Sequence, residues 1–272
     1  MVESLNLNDE KKYAEILESS YVDPLEDVSY PPTAISYGSV HNIPVSIGTY
    51  GNFSFVQAPP KSKKTFFLSQ IASAYCGAKS EYTHKMQGYK GNKKLIHYDT
   101  EQGSFHAQKV FSRVFKMCDK VQGYETYALR QYSPSERLGF IDWHLNRTPD
   151  VGLVIIDGIA DLLYDSNDLT ESSKLTQYLM KWTQELDIHL VTAIHSNWNS
   201  DKPTGHLGSF LEKKAETQIA LDVIDNNSVL VKCKRSRGFS FEDFAFKIDN
   251  RGLPRIMQDI PEKINGDRYL KI

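Results

Sequence analysis

The chain has 272 residues, 40% hydrophobic and 24% charged, which suits one sizeable α/β domain or one domain with a small extension and excludes a disordered or fibrous chain. A formal net charge of −2 excludes a global basic field, so any contact with nucleic acid has to come from local patches. The three cysteines, Cys76, Cys118 and Cys233, are too far apart for a paired metal site and read as reduced thiols. No apolar run reaches membrane-spanning length and no basic-plus-apolar leader opens the chain, so the expected compartment is the cytoplasm, without membrane contact.

Residues 1–20 carry a helical pattern, with Tyr13, Ile16 and Leu17 among charges, and 21–40, rich in Pro, Asp, Ser and Tyr, read as an irregular connector. Residues 1–42 are therefore taken as an N-terminal helix and connector arm, 43–260 as the main domain and 261–272 as a loose tail. Within the main domain, short apolar strands at 53–57, 94–99, 151–157, 189–194, 217–223 and 228–233 alternate with helical patterns at 65–76, 105–118 and 169–186. In the last helix Leu175, Leu179 and Trp182 recur at helical spacing. Strands apolar on both faces, such as Val151-Gly-Leu-Val-Ile-Ile156, belong in a sheet covered on both sides. Alternation with helices implies parallel strands. The expected class is α/β, a mostly parallel central sheet with helices on both faces. The turns Asp225-Asn-Asn and Asp249-Asn-Arg-Gly predict antiparallel strands appended at the C-terminal end.

Five segments carry candidate chemistry. The first runs through Ala58-Pro59-Pro60-Lys61-Ser62-Lys63-Lys64-Thr65-Phe66: a strand, a tight loop, then Lys-Thr opening an apolar helix. This is the layout of a phosphate-binding loop, in which backbone N–H groups and a helix N-terminus cradle phosphates, Lys64 reaches the β/γ-phosphates and the Thr65 hydroxyl goes to Mg²⁺. The pattern calls for Gly where Ala58 and Lys63 stand, because backbone there approaches phosphate closely or takes φ > 0. The alternative is an exposed basic turn. The second segment is the strand ending in Asp157, placed to hold Mg²⁺ beside Thr65 or to close a turn. The third ends in Asp99-Thr-Glu101-Gln102. Here Glu101 is the candidate base that polarises water, ahead of Asp99, and the alternative is a solvated helix cap. The fourth ends in His195-Ser-Asn197 and runs into a polar, Gly-rich loop with Asn199, Lys202 and His206. His195 is a candidate sensor of the terminal phosphate, although a lone His is commonly structural. The fifth is Lys232-Cys-Lys234-Arg235-Ser-Arg237-Gly238, either a solvated hairpin edge or a cationic finger reaching a neighbouring subunit.

In this order and spacing the segments resemble the RecA-like ATPases, most nearly the RepA-type hexameric plasmid helicases and the related DnaB-like replicative helicases, over roughly residues 43–256. The resemblance implies a RecA-like three-layer fold and an ATP- and Mg²⁺-dependent, helicase-like motor acting on DNA in replication of a plasmid or mobile element. Residue by residue, it makes Glu101 the catalytic base, Lys64 and Thr65 the phosphate and Mg²⁺ residues, Asp157 the second Mg²⁺ residue and His195 the γ-phosphate sensor. Arg237, with Lys234, becomes the finger acting in trans, and the spacing leaves Arg235 as the alternative. It implies single-stranded DNA as partner, held by the loop of Asn197, Asn199, Lys202 and His206, and assembly into a homo-oligomeric ring, as in its hexameric members. The altered loop at Ala58 and Lys63 leaves a second expectation, a RecA-like scaffold or loader that binds DNA or partners with weak turnover or none. A small-molecule kinase is a third, for which no acceptor site is evident.

Overall fold

The computed structural model describes residues 7–197, 202–261, 263–264 and 268–269. The chain divides into two units, Met1–Tyr30 and Pro31–Ile272. In the first, α1 (Leu7–Ser20) carries Tyr13, Ile16 and Leu17 on one stripe, and all three are exposed.

The second unit opens with β1 (Thr33–Val40), β2 (Ile43–Thr49) and β3 (Phe53–Ala58), followed by α2 (Lys64–Tyr75), α3 (Ser80–Thr83) and β4 (Met86–Gly88). The core therefore begins ten residues earlier than the sequence reading placed it. The stretch read as connector contains β1, which pairs antiparallel with both β2 and β4 in a small sheet. Its alternation was hidden because Ala34, Ile35 and Ser36 are all buried, so no polar face shows.

Next come β5 (Lys94–Asp99), α4 (Ser104–Met117), β6 (Tyr124–Ala128), α5 (Pro134–Leu145), β7 (Val151–Asp157), a short 3₁₀ turn (Ile159–Leu162), α6 (Leu169–Leu186) and β8 (His189–His195). The chain closes with α7 (Gly205–Lys214), β9 (Thr217–Val223), β10 (Ser228–Ser236), β11 (Phe244–Ile248) and β12 (Pro254–Ile256). A further two-residue hairpin joins β13 (Lys263–Ile264) to β14 (Arg268–Tyr269), within the segment read as a tail.

The main sheet has nine strands in the order β12-β11-β10-β9-β3-β8-β7-β5-β6. The six from β9 to β6 are parallel, and β10, β11 and β12 are added antiparallel, as their short turns predicted. Side chains alternate between two cores. Val56, Leu95, Leu153, Ile155 and Val191 pack with α2, α4 and the small sheet. Phe55, Ile96, Val154, Ile156 and Leu190 pack with α5, α6 and α7. Burial on both faces explains why these strands read as continuous apolar runs.

The helices carry local signals. In α5, Ser133 and Glu136 form a reciprocal capping box behind Pro134. In α6, the Asp168 side chain accepts from Glu171 N at 2.7 Å. The segment at 205–209, read as a loop, is the start of α7. Leu207 and Leu211 recur at i,i+4 and are fully buried, so apolar burial overrides the two glycines.

Candidate active site at the carboxyl ends of the parallel strands

The strand register sets the site. Asp99 lies opposite Asp157 and Ala58 opposite His195, and because Ile156 pairs with Thr192, β3 and β8 run two residues past the level of the two acids. β8 is inserted between the strand of the phosphate-type loop and the strand of Asp157. This places His195 between Lys64 and the acids.

After Ala58 the chain turns through residues 59–63 into α2. Lys63, at the N-cap, has φ +67°, the left-handed region, and Lys61 has φ +63°. The glycine preference at position 63 thus has its physical reason here, and Lys63 holds that conformation at a cost of roughly 1–2 kcal/mol. Ala58 is different. It is the last residue of β3 in regular ladder register, without positive φ, and its carbonyl accepts from Ser196 N at 3.0 Å. Glycine is not required there. Lys63 supplies no side-chain cap, and the first turn of α2 contains no acid. Phe66 N and Phe67 N donate to Lys63 O at 3.0 and 3.2 Å, whereas the N–H groups of Lys64 and Thr65 have no intrahelical acceptor, a setting that favours an anion.

Lys64 is buried, and its Nζ lies 2.8 Å from His195 Nδ1. His195 Nε2 lies in turn 3.4 Å from Glu101 Oε1. A continuous Lys64–His195–Glu101 chain results. Burial lowers the Lys64 pKa, opposed by attraction to Glu101 and Asp157. The bond to His195, and beyond it Lys64, holds Glu101 below the usual carboxylate range.

Asp157 is 1% exposed, and neither of its carboxylate oxygens has a hydrogen-bond partner. The Thr65 hydroxyl lies close enough to favour the charged form without completing a bond. Burial pushes the Asp157 pKa up to about 7, and Asp99 and Glu101 add to the shift. Asp99 is fully buried and raised to about 6 by the same cause. Its Oδ1 accepts from Glu101 N (3.1 Å) and Gln102 N (2.8 Å), while its Oδ2 is orphaned. Asp99 therefore caps the turn, which frees the Glu101 carboxylate to face His195. Thr100 Oγ1 lies 2.8 Å from the carbonyls of both Asp157 and Gly158, tying the ends of β5 and β7 together. Gly158 permits this approach: a Cβ there would sit 2.5 Å from Thr100 Oγ1 and 2.7 Å from Glu101 Cγ.

Orphaned buried carboxylate oxygens are costly and call for a partner. Mg²⁺ fits them. Among the described residues no cluster of three or more His, Cys, Asp or Glu has the geometry to hold a metal. One carboxylate and one hydroxyl, completed by phosphate oxygens and water, is how Mg²⁺ is usually held.

Of the other residues picked from the sequence, Asn197 N donates to Lys202 O at 2.9 Å, and Ser196 pairs with Pro203 across the base of the loop. Thr204 N and Oγ1 both bond His195 O, at 2.9 and 2.8 Å, so the loop and α7 are anchored on His195 itself. His206 lies in the first turn of α7. Asn199 lies outside the described residues. Lys234 and Arg237 are not brought to this site. β10 runs antiparallel to β9, which puts Ser236 opposite Thr217 at the amino ends of the parallel strands. The sequence reading missed Arg113 on α4. Its guanidinium stacks 3.7 Å from the Phe66 ring centre and is drawn towards Asp157, and burial lowers its pKa to about 10. An arginine on an amphipathic helix gives no signal of this. A second cavity of about 400 Å³ adjoins the site and is lined by Glu101, Arg130, Asp161 and His195. A larger one, about 700 Å³, lies away from it between the β1–β2 hairpin and residues 240–242. It has no comparable set of perturbed groups, so chemistry rather than volume assigns the site.

Two outcomes follow from the perturbed groups. An acid raised from its ordinary 3.8 to about 7 binds more protons folded than unfolded between about pH 4 and pH 7, so its contribution to stability falls as pH rises through that window. In EDTA at pH 8, Asp157→Asn is expected to stabilise the protein by about 2 kcal/mol and to flatten the decline with pH, read by denaturant unfolding. A variant less stable than wild type at pH 8 would contradict the orphaned-carboxylate account. Lys63→Gly is expected to raise stability by about 0.5 kcal/mol, because relief of left-handed strain outweighs the added chain entropy. A loss would mean that the Lys63 side chain has a role in holding the turn. No family model and no curated protein sequence matches the chain, so function is argued from this geometry.

Proposed function

We propose that the chain is a RecA-like, Mg²⁺-dependent nucleoside triphosphatase, helicase-like in class, that works on single-stranded DNA as part of a homo-oligomeric ring. The observation that carries this reading is the Lys64–His195–Glu101 chain set beside the orphaned oxygens of Asp157. A general base, a cationic phosphate ligand and a relay between them converge at the carboxyl ends of the strands, where open α/β sheets bind their ligands.

The Lys64 ammonium and the N–H groups of the 59–65 turn bind the β- and γ-phosphate oxygens. Thr65 Oγ1 and the Asp157 carboxylate would hold Mg²⁺, which would supply neutralisation of phosphate charge. Glu101, kept ionised by His195 and Lys64, accepts a proton from the attacking water as its oxygen bonds to phosphorus, and the diphosphate leaves on the opposite side. A phosphate that takes the Lys64 ammonium competes with His195 for it. His195 also carries, through its carbonyl, the Thr204 anchor of the 196–204 loop and α7. Displacement of His195 is therefore the route by which phosphate occupancy reaches the residues expected to hold DNA.

A non-hydrolysing scaffold is the second reading, favoured by one observation: Lys63 keeps the turn in a strained conformation that glycine would adopt freely.

The test is ATP hydrolysis with Mg²⁺, with and without single-stranded DNA. Wild type is expected to turn over and to be stimulated by DNA, and Glu101→Gln to lose about 100-fold or more of kcat while still binding nucleotide. No turnover in wild type would favour the scaffold, and full activity in the variant would remove Glu101 as base.

A further inference from the structure

Lys234 and Arg237 have no part in their own chain's phosphate site, yet the surface around them is built in a way that a solvated hairpin edge does not require. From Ser228 to Phe241 the chain contains no acid. The pairing of β10 with β9 is interrupted by a bulge between Cys233 and Arg235, a device that re-aims side chains. Lys232 before the bulge is paired with Asp222, while Arg235 after it is exposed. Arg237 Nη2 donates to Lys214 O at 2.8 Å, which fastens the end of β10 to the last turn of α7 and joins Lys213, Lys214, Arg235 and Arg237 into one basic surface. The two lysines also suit the negative end of the α7 dipole. That does not account for Phe239, two residues beyond Arg237 and 73% exposed.

We infer that Lys214, Arg235 and Phe239 form a contact surface for single-stranded nucleic acid, with the cations on the phosphodiester backbone and the Phe239 ring stacked on an unpaired base. In a chain of net charge −2, four cations near the end of β10 and of α7, followed two residues after Arg237 by an exposed ring, match a strand with one negative charge per nucleotide and an accessible base face. The surface lies at the amino ends of the parallel strands, opposite the phosphate site. It is therefore separate from the 196–204 loop, and a strand held here does not compete with nucleotide. The inference rests on the reading that the chain works on single strands, and it gives that reading a second point of contact.

The experiment is fluorescence anisotropy of labelled oligothymidylate and oligouridylate, with a duplex as control, over a range of salt, on wild type, Phe239→Ala and Lys214→Ala. ATP hydrolysis without nucleic acid is measured on the same samples. Phe239→Ala is expected to weaken single-strand binding about tenfold with little change in salt slope. Lys214→Ala is expected to lower that slope by about 0.7. Both variants should keep wild-type turnover without nucleic acid. Equal binding of the two oligonucleotides supports backbone-and-stacking recognition, whereas a preference for duplex overturns the role of Phe239. Unchanged affinity in both variants overturns the inference. So does absence of binding by wild type, in which case turnover shows separately whether the phosphate site stands. Normal binding with lost turnover also overturns it, and would place this surface against a neighbour's phosphate instead.

Discussion

The structure depends on one constraint: parallel strands buried on both faces must keep a fixed register, and whatever polar groups stand at their ends are desolvated together. Asp99 stands opposite Asp157 and Ala58 opposite His195, and the pairing of Ile156 with Thr192 sets the second pair two residues beyond the first. Hydrophobic packing on the two faces fixes that register, since a one-residue slip would exchange the two cores. Asp157 thereby loses water without gaining a protein hydrogen bond, Asp99 keeps one oxygen unpartnered, and Lys64 is drawn into the same low-dielectric region. The perturbed groups follow from the packing of the sheet, not from any local feature of the loop.

The balance of charge at the site follows. Lys64 and Arg113 face Asp157, Glu101 and Asp99, with His195 between the two sets. The acids outnumber the cations, and the orphaned oxygens belong to the acids. Under the proposed function a divalent cation would restore that balance. Thr100 and Gly158 act mechanically, one tying β5 to β7 and the other leaving room for it. The Thr204 bonds to His195 O connect the Lys64–His195–Glu101 chain to a separate structural element, the start of α7, without passing through the hydrophobic cores.

Much of this was legible in the sequence. The strands carrying Ala58, Asp99, Asp157 and His195 showed as apolar runs bounded by polar residues, and the Lys-Thr step marked the start of α2. The loss of glycine at two positions looked equivalent, but only position 63 is left-handed, because Ala58 still belongs to its strand. Along the chain Glu101 stood ahead of Asp99 as the candidate base, although both lie at one strand end. The turn spends one Asp99 oxygen on backbone N–H groups and leaves the Glu101 carboxylate facing His195. β1 was invisible because a short strand buried on both faces has no alternation. Arg113 was invisible because its meaning comes from Phe66 and Asp157, residues distant in sequence. The 205–209 segment misled through its glycines, although Leu207 and Leu211 carried the helical period.

The most direct measurement is the thermal unfolding midpoint of wild type and Lys64→Ala with and without Mg·ATP. The account predicts that nucleotide raises the midpoint of wild type in a Mg²⁺-dependent manner and leaves Lys64→Ala unmoved. Equal shifts in the two proteins, or no shift in wild type, would contradict a phosphate site at the carboxyl ends of these strands.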